Sequence, residues 1–195
     1  LARHPAYATA VVATVALGIG GATAVFSIVD AALVRPLGVR EPHRLVAFGQ
    51  ATPRGPVTSS YSHPAFRDFR REAGSLVDLA AHSTARVVLQ VAGRIERVQA
   101  EIVSANYLSV MGLAPAAGRF FLPGEDASLG SGPVCLLSER YWRARLGGDD
   151  AVLGATATAN RVPLTVVGIV PSPFQGAVRG DEADLWIPLS MYPRV

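Results

Sequence analysis

From Pro5 to Val29 the chain runs for 25 residues without one charged side chain, PAYATAVVATVALGIGGATAVFSIV. A helix that crosses ~30 Å of hydrocarbon needs about 20 predominantly apolar residues, and this run is long enough even with tilt. It predicts a transmembrane helix and its exit over residues 5–34. Arg3 and His4 precede it, which places residues 1–4 at the cytoplasmic end, although Arg35 and Arg40 follow and weaken that bias. Gly18, Gly20, Gly21 and Ala22 form a patch of small residues. In water such a patch weakens a helix, whereas in lipid it lets a neighbouring helix approach closely, so these four are the helix-packing candidates.

Three other readings compete for the same run. A secretory signal peptide has an apolar core of only about 7–15 residues, though Ala22-Thr23-Ala24 supplies a small-residue cleavage pattern. A dinucleotide-binding turn could start at Gly18-Ile19-Gly20, but the third glycine of that fingerprint is Thr23 here, and the apolar sequence extends far beyond a strand. A buried helix of a soluble core is the third. The spanning helix accounts best for length and lack of charge together. No second span follows, because Ile102–Gly118 is broken by Pro115, and Val162–Val178 by Pro163, Pro171 and Pro173.

The remaining composition excludes several functions. Half of the 195 residues are hydrophobic and 17% are charged, which is incompatible with a disordered chain. All 18 basic residues are Arg. Without Lys there is no intact phosphate-binding P-loop and no Schiff-base chemistry. The net charge of +3 is spread along the chain, so no nucleic-acid partner is expected. Cys135 is the only cysteine, which rules out an intrachain disulfide or a cysteine zinc site. Within Val134-Cys135-Leu136-Leu137 it reads as a buried, inert thiol. A start at Leu1 and a stop at Val195 suggest an excised piece of a longer protein.

After the span, residues 35–60 read as a Pro- and Gly-rich connector, with Leu45-Val46-Ala47-Phe48 as a first strand. Ser62 is a helix N-cap, with Pro64 in the first turn, Phe66 and Phe69 at i,i+3, and Gly74 as a stop. Arg67, Asp68, Arg70, Arg71 and Glu72 form a solvated face. Arg86 to Val103 reads as a hairpin with a turn at Gly93-Arg94. Its return strand alternates from Arg97 to Ile102, which predicts one buried and one wet face in an antiparallel sheet. Ser104 is expected to cap a short helix carrying Tyr107, Leu108 and Met111. Val134–Leu137 is a buried strand, and Ser138 caps a helix over Glu139–Leu146 that stops at Gly147-Gly148. A second hairpin spans Ala155–Ala159 and Val162–Val170 about Asn160-Arg161, with Pro163 at an edge or bulge. Leu185-Trp186-Ile187 is the last strand. The fold class is α+β: one N-terminal transmembrane helix, then a mixed domain with antiparallel hairpins over 61–195.

Catalytic chemistry is not apparent. There is no Gly-x-Ser-x-Gly elbow and no His-Glu-x-x-His pair. His4, His43, His63 and His82 lack ligand spacing. Ser62-His63 supports only a weak anchored-hydrolase reading, since Ser62 already serves as a cap. Glu125-Asp126, Asp149-Asp150 and Asp181-Glu182 read as surface turn acids rather than a calcium loop. Asp30, at the outer end of the span, is paired, functional or solvated. No catalytic, cofactor or metal residue is assigned.

Taken together, the motifs resemble one family. Leu17-Gly18-Ile19-Gly20, Thr23 to Ala31, Arg35-Pro36-Leu37 and Pro42-His43-Arg44-Leu45-Val46 are similar to the first membrane helix and exit of MacB/FtsX-like ABC transporter permeases. Val103 to Gly112, Pro115, Gly118-Arg119-Phe120-Phe121 and Glu125-Asp126 resemble that family's periplasmic core domain. So do Leu137 to Trp142, Leu146-Gly147-Gly148-Asp149, Leu153-Gly154 and Val166 to Pro171. The order is kept over nearly the whole chain. Family permeases have three further membrane helices after this domain, so the resemblance marks the chain as truncated and its domain as incomplete at the C-terminus. Asn160-Arg161 stands where the family commonly has Asn-Gly.

The resemblance implies a non-enzymatic permease subunit in the inner membrane, with its soluble domain periplasmic. Its partners would be an ABC ATPase that binds ATP on a separate chain or domain, a second permease copy, membrane lipid and an extracytoplasmic accessory protein. ATPase-driven motion would then be passed to a substrate for export, or to a partner as force. The alternative is a membrane-anchored extracytoplasmic binding or scaffold domain without an ATPase.

Overall fold

The computed structural model describes residues 5–29, 38–52, 55–58, 60–74, 76–178, 180 and 182–194. Chain contacts divide it into two units, Leu1–Pro36 and Leu37–Val195.

The first unit contains helix α1, Pro5–Val29. Its side chains are described at Thr9 and over 12–27, and each of these is exposed, Leu17, Ile19 and Phe26 among them. Among the described residues no helix is long and apolar enough to cross a membrane, so the transmembrane helix expected over residues 5–34 is not established by the structure.

The second unit is built on a closed sheet. Strands β3 (His82–Val91), β4 (Arg94–Val103), β6 (Val134–Ser138), β7 (Thr156–Ala159), β8 (Val162–Val170) and β9 (Leu185–Pro188) follow the order β8-β6-β9-β4-β3-β7. Because β7 also pairs with β8, the ring closes, while β5 (Ala117–Gly118) adds to the outside of β8. The sheet is mixed rather than wholly antiparallel, since β4 runs parallel to β9 and β6 parallel to β8. A separate two-stranded hairpin joins β1 (Gln50–Thr52) to β2 (Gly55–Thr58).

Alternation along the strands fills the inside of the ring. Val87, Leu89 and Val91 of β3, Val98 and Ala100 of β4, and Leu185 and Ile187 of β9 point into one core. Cys135 and Leu137 of β6, Ala157 and Ala159 of β7, and Leu164 and Val166 of β8 complete it. Helix α4 (Glu139–Leu146) brings Tyr141, Trp142 and Leu146 to the same core. The Ser138 hydroxyl accepts from Tyr141 N–H at 3.0 Å, and Gly147 closes the helix at φ 69°, as the sequence predicts.

A second core lies on the other face of β4, β6, β8 and β9. Val103, Leu136, Trp186 and Val170 are covered there by Tyr107 and Leu108 of α3 (Tyr107–Val110), by Phe121 and Phe174, and by Val39. Val39 belongs to the stretch expected to be a connector. The wall next to it is tight: a Cβ on Gly38 (φ +72°) would lie 2.0 Å from the Pro173 carbonyl oxygen.

Several local expectations require correction. Leu45-Val46-Ala47-Phe48 is not a strand. Pro42–Arg44 forms a single 3-10 turn, and the first strand begins at Gln50. The first hairpin turns at Ala92-Gly93, one residue earlier than predicted, with φ of 46° and 76°. Both angles are positive, as a two-residue turn that matches strand twist requires. Ser104 does not cap α3 through its side chain. Its hydroxyl accepts from Ala81 N–H and donates to Asn106 Oδ1, tying the chain before β3 to the chain after β4. Pro163 stands, as expected, where β8 pairs only with β7.

Candidate functional site

The predicted helix-packing residues share one exposed stretch of α1. A Cβ placed on Gly18, Gly20 or Gly21 would meet nothing within 4 Å, and Ala22 is exposed. The polar side chains of this stretch are partly satisfied within the helix. Thr23 Oγ1 donates to the Ile19 carbonyl and Ser27 Oγ to the Thr23 carbonyl, each at 2.8 Å. Asp30 and His4 lie outside the described residues.

On the second unit, the most unusual group is one that the sequence pattern places on a wet face. Glu101 is fully buried. Its Oε2 accepts from Trp186 Nε1 at 2.8 Å and from the Tyr107 hydroxyl at 3.1 Å, while Oε1 accepts from Ala177 N–H at 3.0 Å. Strand alternation gives the parity of Glu101 correctly, since it points away from the ring interior. What alternation does not reveal is that a second layer covers that outer face. Burial, together with the adjacent Glu101 carboxylate, pushes the Tyr107 phenol far above its ordinary value. Glu101 thereby joins β4, β9, α3 and the loop after β8. Gly176 (φ +113°) permits the approach, because a Cβ there would sit 2.9 Å from Glu101 Oε1. A buried carboxylate held by three donors resists removal of any one of them.

Glu125 and Asp126 are likewise not surface turn acids. Glu125 makes a two-armed ion pair with Arg119 and accepts from Leu122 N–H at 2.8 Å. Burial opposes its charge, but the Arg119 guanidinium and Leu122 N–H hold the carboxyl below its ordinary range. Asp126 is half buried and spans two segments, accepting from Ala105 N–H at 3.3 Å and Ser190 N–H at 3.0 Å. Desolvation nevertheless raises its carboxyl above the usual value. Asp149 caps a short turn through Ala151 N–H, and Glu182 lies 3.5 Å from Arg140.

No hydrolytic arrangement is assembled around Ser62 and His63. The Ser62 hydroxyl accepts from Ala65 N–H at the start of α2 (His63–Ala73), the capping role its sequence position predicts. Among the described residues no group of three or more His, Cys, Asp or Glu could hold a metal. The Cys135 thiol is fully buried and pushed up to about 12 by desolvation, which leaves it unreactive as a nucleophile.

The family model described as MacB-like periplasmic core domain matches residues 9–195. Among solved structures, the periplasmic region of MacB from Actinobacillus actinomycetemcomitans matches with 21% identity and a TM-score of 0.47, covering 57% of this chain and 47% of that one. The extracellular domain of the noncanonic ABC-type transporter YknZ from Gram-positive bacteria matches with 15% identity and a TM-score of 0.52, covering 66% of this chain and 63% of that one. The chain therefore spans about half to two thirds of those two structures. No curated protein matches.

Proposed function

The chain belongs to the MacB-like periplasmic core domain family, and from that premise we propose that it is the extracytoplasmic module of an ABC-type permease, carried on α1 as a membrane span. In this reading an ATPase on another chain or domain hydrolyses ATP in the cytoplasm. A pair of permease copies passes the motion outward, for export of a substrate or as force on an accessory protein. The ring of strands acts as the moved body, and the outer layer around Glu101 keeps its loops from yielding.

One observation carries the reading: an uncharged helix of 25 residues, exposed at every described side chain, leads into a domain of this family. The span itself is read from the sequence, where the uncharged run Pro5–Val29 exceeds the roughly 20 predominantly apolar residues that a crossing needs. Water is a poor surrounding for such a surface, and lipid is a good one. Gly18, Gly20, Gly21 and Ala22 would then meet the neighbouring helix, where close backbone approach replaces hydrophobic attraction. Residues 37–195 require no catalytic role, in line with a family of permease domains.

Site-directed labelling of the full chain in spheroplasts tests the topology, and the buried Cys135 provides a silent background. Arg161→Cys, in the exposed turn between β7 and β8, should react with a membrane-impermeant maleimide before lysis. Leu17→Cys should react only after detergent is added. Rapid labelling of Leu17→Cys in water, or protection of Arg161→Cys until lysis, would overturn the reading. Gly18→Leu with Gly21→Leu should reduce crosslinking between two copies while leaving the domain folded.

A further inference from the structure

Phe66 is the buried residue of helix α2, whose Phe69 packs edge-on against Phe48 and Tyr61. Beside it His63, Arg67, Arg70 and Arg71 recur at i, i+4, i+7 and i+8 and line a cleft of about 300 Å³, with Pro123 and Asp126 opposite. A volume of this size lies at the lower end of what small-ligand sites occupy. The charges in the cleft are unbalanced. Arg44, Arg119, Arg140, Arg143 and Arg145 each have a carboxylate within 4 Å. Among the described residues Arg67 and Arg70 have none, as is also true of Arg40, Arg86, Arg94, Arg97, Arg161 and Arg194, but only Arg67 and Arg70 stand together with Arg71 in one cleft. Arg71 reaches only Asp68 of its own helix, in a pair exposed enough to bind weakly.

Asp126 is the carboxylate that lines the cleft, close enough to His63 and Arg70 to feel their charge, and both its oxygens are engaged by backbone N–H groups of Ala105 and Ser190. It tempers the field of the cleft without pairing with Arg67 or Arg70. Planar guanidinium forks of this kind match the geometry of a tetrahedral oxyanion, and Phe66 and Pro123 offer an apolar border for the group that bears it.

We propose that this cleft between α2 and residues 123–126 binds a phosphate-type oxyanion, supplied free in solution or as the headgroup of an anionic lipid. The proposal does not depend on where α1 resides. The full chain, held in phosphatidylcholine nanodiscs, is titrated with inorganic phosphate followed by phosphorus NMR line width. Separately, the phosphorus line width of phosphatidylglycerol is followed with the chain in nanodiscs containing one-third of that lipid, a signal that anchoring by α1 leaves the same in every variant. The double variant Arg67→Gln, Arg70→Gln should lose about tenfold in affinity, the scale of a lost charge-assisted contact. Arg67→Lys with Arg70→Lys should recover part of it, because charge is kept and the fork is lost. Arg94→Gln with Arg161→Gln, outside the cleft, should change nothing. A deficit seen with inorganic phosphate alone assigns a free anion, and a deficit that includes the phosphatidylglycerol signal assigns the headgroup. The proposal is overturned if the Gln pair behaves as wild type with both probes, or if the control pair loses as much. All four arginines changed are exposed, so an unaltered thermal transition will show that each variant is folded.

Discussion

The two cores on either side of the strand ring are unlike each other in composition and in origin. The interior core is almost wholly aliphatic and is supplied by alternate positions of six strands. The outer core holds four aromatic side chains, Tyr107, Phe121, Phe174 and Trp186, and adds to its strand residues others from α3 and from loops, Val39 among them. It also contains a carboxylate. The interior depends on shape and non-directional burial, whereas the outer layer depends on three directed hydrogen bonds to Glu101. Damage to the first should spread around the ring, and damage to the second should release loops while the ring persists.

The largest expected effect tests the interior. Leu137→Ala should cost about 2–5 kcal/mol through lost transfer energy and an unfilled cavity, measured by denaturant unfolding. Amide exchange should rise in all six strands together, and a rise confined to β6 would break the comparison. Glu101→Gln comes next, at about 1–3 kcal/mol, because one arm of the amide must present a donor either to Ala177 N–H or to the Trp186 and Tyr107 donors. Exchange should increase at residues 174–178 while β3 and β7 stay protected. Equal loss across the ring would show that the two cores are a single cooperative unit.

A smaller, pH-dependent effect belongs to the Arg119–Glu125 brace at the rim of the outer layer. The folded Glu125 carboxyl is held below the ordinary 4.5, so its contribution is present above that pH and is lost as pH falls below it. Asp126, raised above 3.8 in the folded state, acts in the opposite sense, and its contribution declines as pH rises past that value. Glu125→Gln should therefore flatten the acid side of a stability–pH curve below 4.5. A slope unchanged from wild type would remove the brace from the account.

The smallest effects should be gains. Arg161 has φ +72° in the turn after β7, so Arg161→Gly should stabilise by about 0.5–1 kcal/mol by relieving a strained backbone. Among the described residues the buried Tyr141 hydroxyl has no hydrogen-bond partner. Tyr141→Phe should fall within about 0.5 kcal/mol of wild type or above it, since no bond is lost. A loss beyond that would reveal a polar contact inside the ring.

The same contrast explains what could be read from the residues in advance. The two long hairpins, the caps at Ser62 and Ser138, and the strand at Leu185–Ile187 follow from local alternation and turn chemistry, and they lie close to where the sequence puts them. The interior thiol of Cys135 was equally legible. Ring closure was not, because the pairing of β3 with β7 at Leu89–Ala159 and Gln90–Thr158 joins residues some seventy positions apart. Nor was the role of Glu101. An alternating Glu looks solvated until a distant loop, here Phe174 to Ala177, is folded over it. Glu125 and Asp126 were misread for the same reason, since the N–H of Ser190 lies 64 residues beyond Asp126. The arginines of α2 were correctly placed on one helix, but their convergence on residues 123–126 depends on tertiary packing.

Closure of the ring has a mechanical consequence. Asn160 fastens it, donating its backbone N–H to the Val88 carbonyl and accepting from Val88 N–H at its Oδ1, both at 2.9 Å. An open sheet pulled at one end can be unzipped strand by strand, each ladder failing in turn. Here β4, the longest strand together with β3, is flanked on both sides, so a tug on either must shear two neighbours at once. Load is thus shared around a hoop rather than borne by one ladder at a time.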